Sequence, residues 1–228
     1  MNQLRAIALV LVWPMRGLPM VLAEPRALFA ILFIASAFLA SHWALHHRLD
    51  LEAQERLIAA ESKSDASEQE ITDQAKRALA MRRIGGYAGY AASVPLAALA
   101  GGALLYLLAL GFQRNKAAQN GRISFGRAFA LFSHAALPLG LRELLAIPVL
   151  LSYRAIDPSK TAGLFKTDLG SLWPGLSFPG AFLVDPFCLW AGTLVGLSVR
   201  AAGKPRFLAA LAGIAFFVLF GFLGRVLP

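Results

Sequence analysis

Residues 128–153 have the sequence AFALFSHAALPLGLRELLAIPVLLSY. The segment is apolar over a length that suits the hydrocarbon core of a bilayer, which about 20 helical residues cross. Its charged residues are the adjacent pair Arg142 and Glu143, near the middle. Ionisable groups at bilayer depth are costly, so they usually face protein or water rather than lipid. The segment therefore predicts a transmembrane helix, and the pair is its leading functional candidate.

The composition of the whole chain agrees with a membrane protein. Of its 228 residues, 57% are hydrophobic and 15% are charged, and the mean hydropathy is +0.60. An ordinary soluble domain has about one quarter charged residues. The net charge of +9 does not indicate nucleic-acid binding, because many basic residues lie in short connections beside apolar segments, where they orient helices. We therefore expect an integral membrane protein that does not bind nucleic acid.

Five apolar segments have the length of a membrane span. They cover about residues 27–45, 87–112, 128–153, 181–199 and 207–227. Their hydrophobicity continues along the whole segment, whereas the strands of a membrane barrel would alternate. The predicted fold class is all-α, a polytopic helical bundle of five transmembrane helices in a single membrane domain over residues 1–228. The shorter run from Ala6 to Trp13 is expected to be an interfacial or packed segment of the mature protein.

A charged segment, residues 46–84, separates the first two spans. It mixes basic with acidic residues in similar number and has few large apolar side chains. Ser67 and Glu70 have capping-box spacing, which predicts a helix that leads into the second span. Residues 48–61 are rich in helix formers and would extend the first span. We expect an extramembrane helical hairpin, with a solvated disordered loop as the alternative.

Lys and Arg in the connections predict the orientation. Basic residues precede the first span and occupy the connections between spans two and three and between spans four and five: Arg5, Arg16, Arg26, Arg114, Lys116, Arg122, Arg127, Arg200, Lys204 and Arg206. With five spans these regions share one side, which the positive-inside rule assigns to the cytoplasm. The expected location is the cell membrane, with the N-terminus cytoplasmic and the C-terminus outside. The lipid bilayer is the first expected partner.

Three intramembrane polar residues are the candidates for a functional site: Arg142, Glu143 and Asp185. Neighbours on a helix point about 100° apart, so Arg142 and Glu143 each need their own partner, and structural pairing is the favoured interpretation. A polar cavity for a ligand is the alternative. Asp185 precedes Pro186 early in the fourth span, where a carboxylate suits the positive end of the helix dipole. A salt bridge from Asp185 to Arg142 is the second interpretation, and it would need a long reach because the topology places Asp185 near the outer surface.

Small residues predict close helix packing. Gly192 and Gly196 form a GxxxG pattern in the fourth span, and the same spacing recurs at Gly85 and Gly89, at Ala97 and Gly101, and at Ala209 and Gly213. Close approach of two helices explains such pairs. The partner helix can belong to this chain or to another protomer.

Neither a metal site nor catalysis is expected. His42, His46 and Asp50 recur at intervals of four and could bind zinc from one helix face, but the favoured interpretation is interfacial histidines where the first span meets water. The sequence has no nucleophile elbow, HExxH motif or Walker loop, and Cys188 is its one cysteine. We therefore expect no enzymatic activity, no metal and no cofactor.

Two segments resemble a known family. The sequence SFGRAFA at 124–130, followed by HAALP at 134–138 and by Leu141-Arg142, resembles the third-span region of bacterial Yip1-domain membrane proteins. The sequence VDPFCLW at 184–190 resembles their fourth span. The resemblance implies a five-span bundle with a cytoplasmic N-terminus. Eukaryotic relatives act in vesicle trafficking and associate with small GTPases, whereas bacterial members lack an assigned activity.

Two functional hypotheses follow. The first is a non-enzymatic Yip1-like membrane protein that acts by helix packing with itself or with other membrane proteins. The second is a small transporter, or a transporter accessory subunit, that uses Arg142, Glu143 and Asp185 in a polar cavity. A closed bundle that pairs these charges favours the first, and a cavity that water reaches favours the second.

Overall fold

The computed structural model describes residues 3–49, 68–111, 123–156, 167 and 184–226. These residues form eight helices: α1 (Gln3–Val12), α2 (Pro14–Ala23), α3 (Leu28–Arg48), α4 (Glu68–Gly111), α5 (Phe125–Ala135), α6 (Leu137–Ser152), α7 (Pro186–Ala201) and α8 (Arg206–Val226). The extended pairing recorded among them is an isolated parallel bridge between Leu49 and Ile156. The all-α part of the predicted fold class is therefore confirmed.

Three helical segments are long and apolar enough to cross a membrane: Leu28–Arg48, Lys76–Leu110 and Phe125–Ser152. Helix α7 has 16 residues, or about 24 Å, which is less than the hydrocarbon core of about 30 Å. Helix α8 has 21 residues. These lengths are compatible with a membrane protein, while the five-span arrangement stays a prediction.

The charged segment is helical in its second half. Helix α4 begins at Glu68 and continues without interruption through Pro95 to Gly111, so the predicted helix that leads from the charged segment into the apolar residues after 87 is confirmed. Glu, Gln, Lys, Arg, Ala and Met dominate its first four turns, and all of them are strong helix formers. Most of the predicted first arm, residues 50–61, lies outside the described residues.

The apolar stretch of residues 128–153 belongs to two helices rather than one. The Ser124 side chain accepts a hydrogen bond from the Arg127 backbone N–H at 3.3 Å, so Ser124 is the N-cap of α5. Helix α5 ends at Ala135, and α6 begins at Leu137 after a turn at Ala136. Pro138 thus lies in the first turn of α6, where its missing N–H forfeits no helical hydrogen bond. The expected helical segment is therefore present as two consecutive helices that break at Ala136.

Helices α7 and α8 are joined by a tight turn. Helix α7 begins at Pro186 rather than near residue 181, and residues 181–183 lie outside the described part of the chain. Gly203 has a φ of 80°, a left-handed conformation that glycine adopts without steric cost. The backbone N–H groups of Gly203 and Lys204 donate to the carbonyls of Arg200 and Val199. The turn therefore reverses the chain within a few residues, so α7 and α8 run antiparallel.

The described residues divide into two compact units. The first holds those within Met1–Ala35, Val94–Arg142 and Thr167–Pro228, and the second those within Ser36–Ser93 and Glu143–Lys166. Residues of α3, α4 and α6 belong to both units, and the single domain over residues 1–228 stays a prediction.

Each unit has its own buried core. In the first unit α8 packs extensively on α7, while α2 and α5 also contact α7, and α1 contacts α2 and α5. Ala6, Ile7 and Val10 of α1 are buried, as expected for a packed N-terminal segment. In the second unit the core consists of Ala44, Leu49, Ala146, Leu150 and Ile156.

Candidate functional site

Arg142 and Asp185 form an ion pair in the first unit. Nη1 of Arg142 lies 3.3 Å from Oδ2 of Asp185, and the two side chains are 24% and 15% exposed. The salt bridge that was the second interpretation of Asp185 is therefore present, and the topology argument that it needs a long reach is wrong. Because the helix breaks at Ala136, Arg142 lies in the second turn of α6 rather than in the middle of one long helix. Both charges therefore lie close to the N-terminus of their helices.

The Asp185 carboxylate also caps α7. Its Oδ1 accepts the backbone N–H groups of Phe187 at 2.7 Å and Cys188 at 3.3 Å. Its Oδ2 accepts the Thr167 hydroxyl in addition to Arg142. An ionised carboxylate offers about four lone-pair sites, and four donors occupy them here. The expected capping role is confirmed, and four donors satisfy the carboxylate.

Glu143, the third candidate, follows Arg142 on α6 and falls in the second unit. Its side chain is partly buried. Adjacent residues on a helix point about 100° apart, so Glu143 leaves the helix in a different direction from Arg142. Of the two neighbours, Arg142 is the one that meets Asp185.

Gly192 and Gly196 lie against the backbone of α8. A Cβ added at Gly192 would come within 2.8 Å of the Gly213 carbonyl oxygen, and one at Gly196 within 2.8 Å of the Ala209 carbonyl oxygen. A Cβ at Gly213 would in turn lie 3.0 Å from the Gly192 carbonyl oxygen. Small residues such as glycine and alanine allow helices to approach this closely. The partner of the GxxxG pattern is therefore the Ala209–Gly213 pair of the same chain.

The other small-residue pairs differ in their surroundings. A Cβ at Gly101 would overlap the ring of Phe132 in the first unit. At Gly85 and Gly89 of α4, in contrast, no described atom lies within 4 Å of an added Cβ. Close packing thus accounts for Gly101, whereas Gly85 and Gly89 present an open surface within the described part of the chain.

The histidines near the end of α3 pack against tyrosines of α4 in the second unit. The His42 ring lies 4.8 Å from the Tyr87 ring, 5.0 Å from the Tyr90 ring and 4.3 Å from the His46 ring, measured between centroids. No group of three metal-binding side chains occurs among the described residues, and Asp50 lies outside them. The observed contacts are those of an aromatic cluster.

Lys204 makes a contact that its sequence position does not predict. In the sequence it is one of the basic residues that indicate the orientation of the helices. It is 8% exposed, and its Nζ donates to the Ala109 carbonyl oxygen at 2.6 Å. That carbonyl belongs to the last turn of α4, where carbonyls lack helical partners and cations are favoured. The α7–α8 turn thereby caps α4. The Gly203-Lys204-Pro205 sequence predicts a turn, but not the helix end that the lysine reaches.

A cleft of about 660 Å³ lies beside the contact between α7 and α8 in the first unit. Its walls are mostly apolar, with Met15 of α2 on one side and Arg200 and Arg206 at one end. Leu189, Thr193 and Leu197 contribute to the α7 wall and recur at intervals of four. This spacing is visible in the sequence and is typical of residues on one face of a helix.

Comparison of the chain with protein-family models, with curated proteins and with solved structures found no match. The resemblance to Yip1-domain proteins therefore depends on the short segments that carry it. Two of these segments, Leu141-Arg142 and residues 184–190, contain the two members of the ion pair.

Proposed function

We propose that this chain is a non-enzymatic, Yip1-like membrane protein with five helical spans that acts by packing against other membrane helices. The observation that carries the proposal is the exposed apolar surface of its longest helices. In the most apolar stretch of each helix, only a minority of the residues are buried in the structure. The buried share is 28% in Leu28–Arg48, 28% in Lys76–Leu110 and 39% in Phe125–Ser152. Surface helices of soluble proteins bury their apolar face and expose a polar one. The remaining apolar surface requires lipid or partner helices.

The proposed orientation has a cytoplasmic N-terminus, an outer C-terminus and a charged helical hairpin outside the membrane. It is supported by the basic, nearly acid-free connections around Arg16, Arg127 and Arg206 and by the positive-inside rule. A cysteine at Gly121 or at Ser64, in a Cys188→Ala background, tests it. An impermeant thiol reagent applied to intact cells should label the Ser64 position alone, and labelling at Gly121 would reverse the orientation.

The Arg142–Asp185 pair supports a packing role over transport. In this interpretation the pair joins α6 to the start of α7, and its satisfied carboxylate leaves little capacity to bind an ion or solute. The two segments that carry the family resemblance meet at this contact, which is consistent with a shared structural element. Bacterial members of that family lack an assigned activity, so the resemblance adds no reaction.

The open face of α4 is the surface we assign to a partner helix. Gly85 and Gly89 have the spacing at which membrane helices approach closely, and the neighbouring Met81 and Ile84 are 76% and 69% exposed. The partner is a second copy of the chain or another membrane protein. Gly101, Gly192, Gly196 and Gly213, in contrast, are packed within the chain.

Chemical cross-linking from this face tests the packing role. A cysteine at Gly89, in the Cys188→Ala background, should give adducts of discrete mass with a bifunctional thiol reagent in native membranes. A cysteine at Gly126, which also faces open space, is the matched control and should give fewer. Adducts that are absent at Gly89, or equal at both positions, would contradict a partner helix on this face.

A transporter is the second candidate because the Arg142 and Asp185 side chains are not fully buried: they are 24% and 15% exposed. Single cysteines along residues 137–147, in the Cys188→Ala background, distinguish the two functions. We expect protection from an impermeant thiol reagent throughout. Labelling that recurs every three to four residues around Arg142 would instead show a water-filled cavity and support transport.

A further inference from the structure

We propose that the cleft between α7 and α8 binds an anionic phospholipid, with its phosphate at Arg200 and Arg206 and an acyl chain along the apolar walls. This inference depends on the membrane insertion that the proposed function includes. It adds a specific ligand to a surface that the helix-packing role does not use.

The dimensions of the cleft suit an acyl chain. From Arg200 back to Leu189 on α7, and from Arg206 to Phe217 on α8, each wall extends about 16 Å along its helix. That length is close to half of the hydrocarbon core of about 30 Å, which is the depth of one leaflet. The volume of about 660 Å³ falls within the range of about 300–1,000 Å³ typical of ligand sites.

Small residues create the cleft. Gly196 and Gly213, which allow the close α7–α8 contact, also line it. Ala210, one turn from Arg206, lines it as well and is exposed. A slender acyl chain can therefore lie along the helix pair, against these small residues.

The charges at one end favour an anion. The short turn between antiparallel helices brings Arg200 and Arg206 to the same end of the cleft, and both are exposed. Nη1 of Arg200 donates to the Lys204 carbonyl oxygen at 3.0 Å, which restrains the side chain. Within the described part of the chain, no carboxylate forms an ion pair with either arginine. Guanidinium groups match the geometry of a phosphate.

The position of the arginines fits a headgroup rather than a soluble anion. In the proposed orientation the α7–α8 turn lies at the cytoplasmic surface, where anionic lipids concentrate and basic residues bind them. A free phosphate would occupy the arginines alone and make no use of the apolar walls. The combination of a cationic end and a leaflet-deep apolar cleft therefore points to an intact phospholipid.

Photo-cross-linking tests the site in the full chain. The purified protein is reconstituted in phosphatidylcholine nanodiscs that contain a minor fraction of phosphatidylglycerol with a diazirine in its acyl chain. We expect cross-links in peptides of α7 and α8, and fewer with the matching phosphatidylcholine probe. Cross-linking should fall about fivefold for each of Arg200→Gln and Arg206→Gln, the factor for about 1 kcal/mol per basic residue near an anionic surface.

Matched variants separate the site from general charge and from misfolding. Arg127→Gln removes the same charge from an exposed position outside the cleft and should leave cross-linking unchanged. Ala210→Phe fills the cleft and should reduce cross-linking although both arginines are present. The double variant Arg200→Lys with Arg206→Lys keeps both charges and should keep most of the cross-linking. Equal cross-linking by both probes, cross-links confined to other helices, or an equal loss with Arg127→Gln would overturn the site.

The outcomes also separate this inference from the function on which it depends. If the chain is absent from the membrane fraction, the proposed membrane function fails first. If the chain is inserted but shows no preference for phosphatidylglycerol, the lipid site alone is wrong.

Discussion

Substitution of Asp185 can separate two roles of one carboxylate. Asp185→Ala removes both the cap of α7 and the partner of Arg142, because one side chain serves both. Asp185→Asn keeps an oxygen that can cap the helix but removes the charge, and Asn and Asp are nearly equal as N-caps. Asp185→Asn therefore measures the ion pair, and the difference between the two variants measures the cap.

We expect Asp185→Asn to lower the free energy of unfolding by about 2 kcal/mol. With side chains 24% and 15% exposed, the pair lies between exposed pairs, worth up to about 1 kcal/mol, and buried pairs, whose disruption costs about 3 kcal/mol or more. Asp185→Ala should cost about 1 kcal/mol more for the lost cap. Arg142→Met combined with Asp185→Asn should cost less than the sum of the two, by about 1–2 kcal/mol.

Unfolding in detergent micelles can be followed by two probes. Circular dichroism reports loss of helix, and a fluorogenic maleimide reports exposure of Cys188, which is 4% exposed in the folded chain. Because Cys188 lies in the first turn of α7, labelling ahead of the circular dichroism change indicates local fraying. Arg26→Gln is a control, since its pair with Glu24 is 3.9 Å long and exposed. Additive costs for Arg142→Met and Asp185→Asn, or equal costs for the two Asp185 variants, would refute the reasoning.

Three further substitutions can be measured by the same unfolding assay. Gly192→Ala should lower the free energy of unfolding by about 1–3 kcal/mol, because its Cβ would press on the α8 backbone. Gly126 lies in open space, so Gly126→Ala should leave the free energy of unfolding unchanged. Equal effects of the two substitutions would contradict the close helix contact. Lys204→Met should lower the free energy of unfolding by about 1–3 kcal/mol, because the Ala109 carbonyl of α4 loses its donor. An unchanged unfolding midpoint would argue against that cap. Ser124→Ala should cost about 1 kcal/mol and accelerate amide exchange in the first turn of α5, and unchanged exchange there would exclude the cap.

The sequence predicted helix positions better than helix contacts. Ser124 as a cap and the helix that begins at Glu68 follow from local hydrogen bonding and propensity, which act within a few residues. The break at Ala136 was missed because Pro138 fits both a kink inside a helix and the first turn of a new one. Sequence hydrophobicity alone cannot distinguish these two cases.

The contact between Arg142 and Asp185 depends on packing that no local pattern encodes. Forty-three residues separate the two charges in the chain, and their meeting requires the break before α6 and the start of α7 at Pro186. The GxxxG pattern likewise predicted a close contact but not its partner. Once α7 and α8 are known to be joined by a tight turn at Gly203, Gly213 is the natural partner for Gly192.

Helix α7 is shorter than a bilayer is thick. Its 16 residues provide about 24 Å, so as a proposed span it falls about 6 Å short of a typical hydrocarbon core. The polar cluster of Asp185, Arg142 and Thr167 lies at its N-terminal end, where that shortfall would place lipid tails. Bilayers adjust to such a mismatch by thinning around the protein. As a proposed span, α7 should therefore lose stability at this one helix end when the bilayer has longer acyl chains.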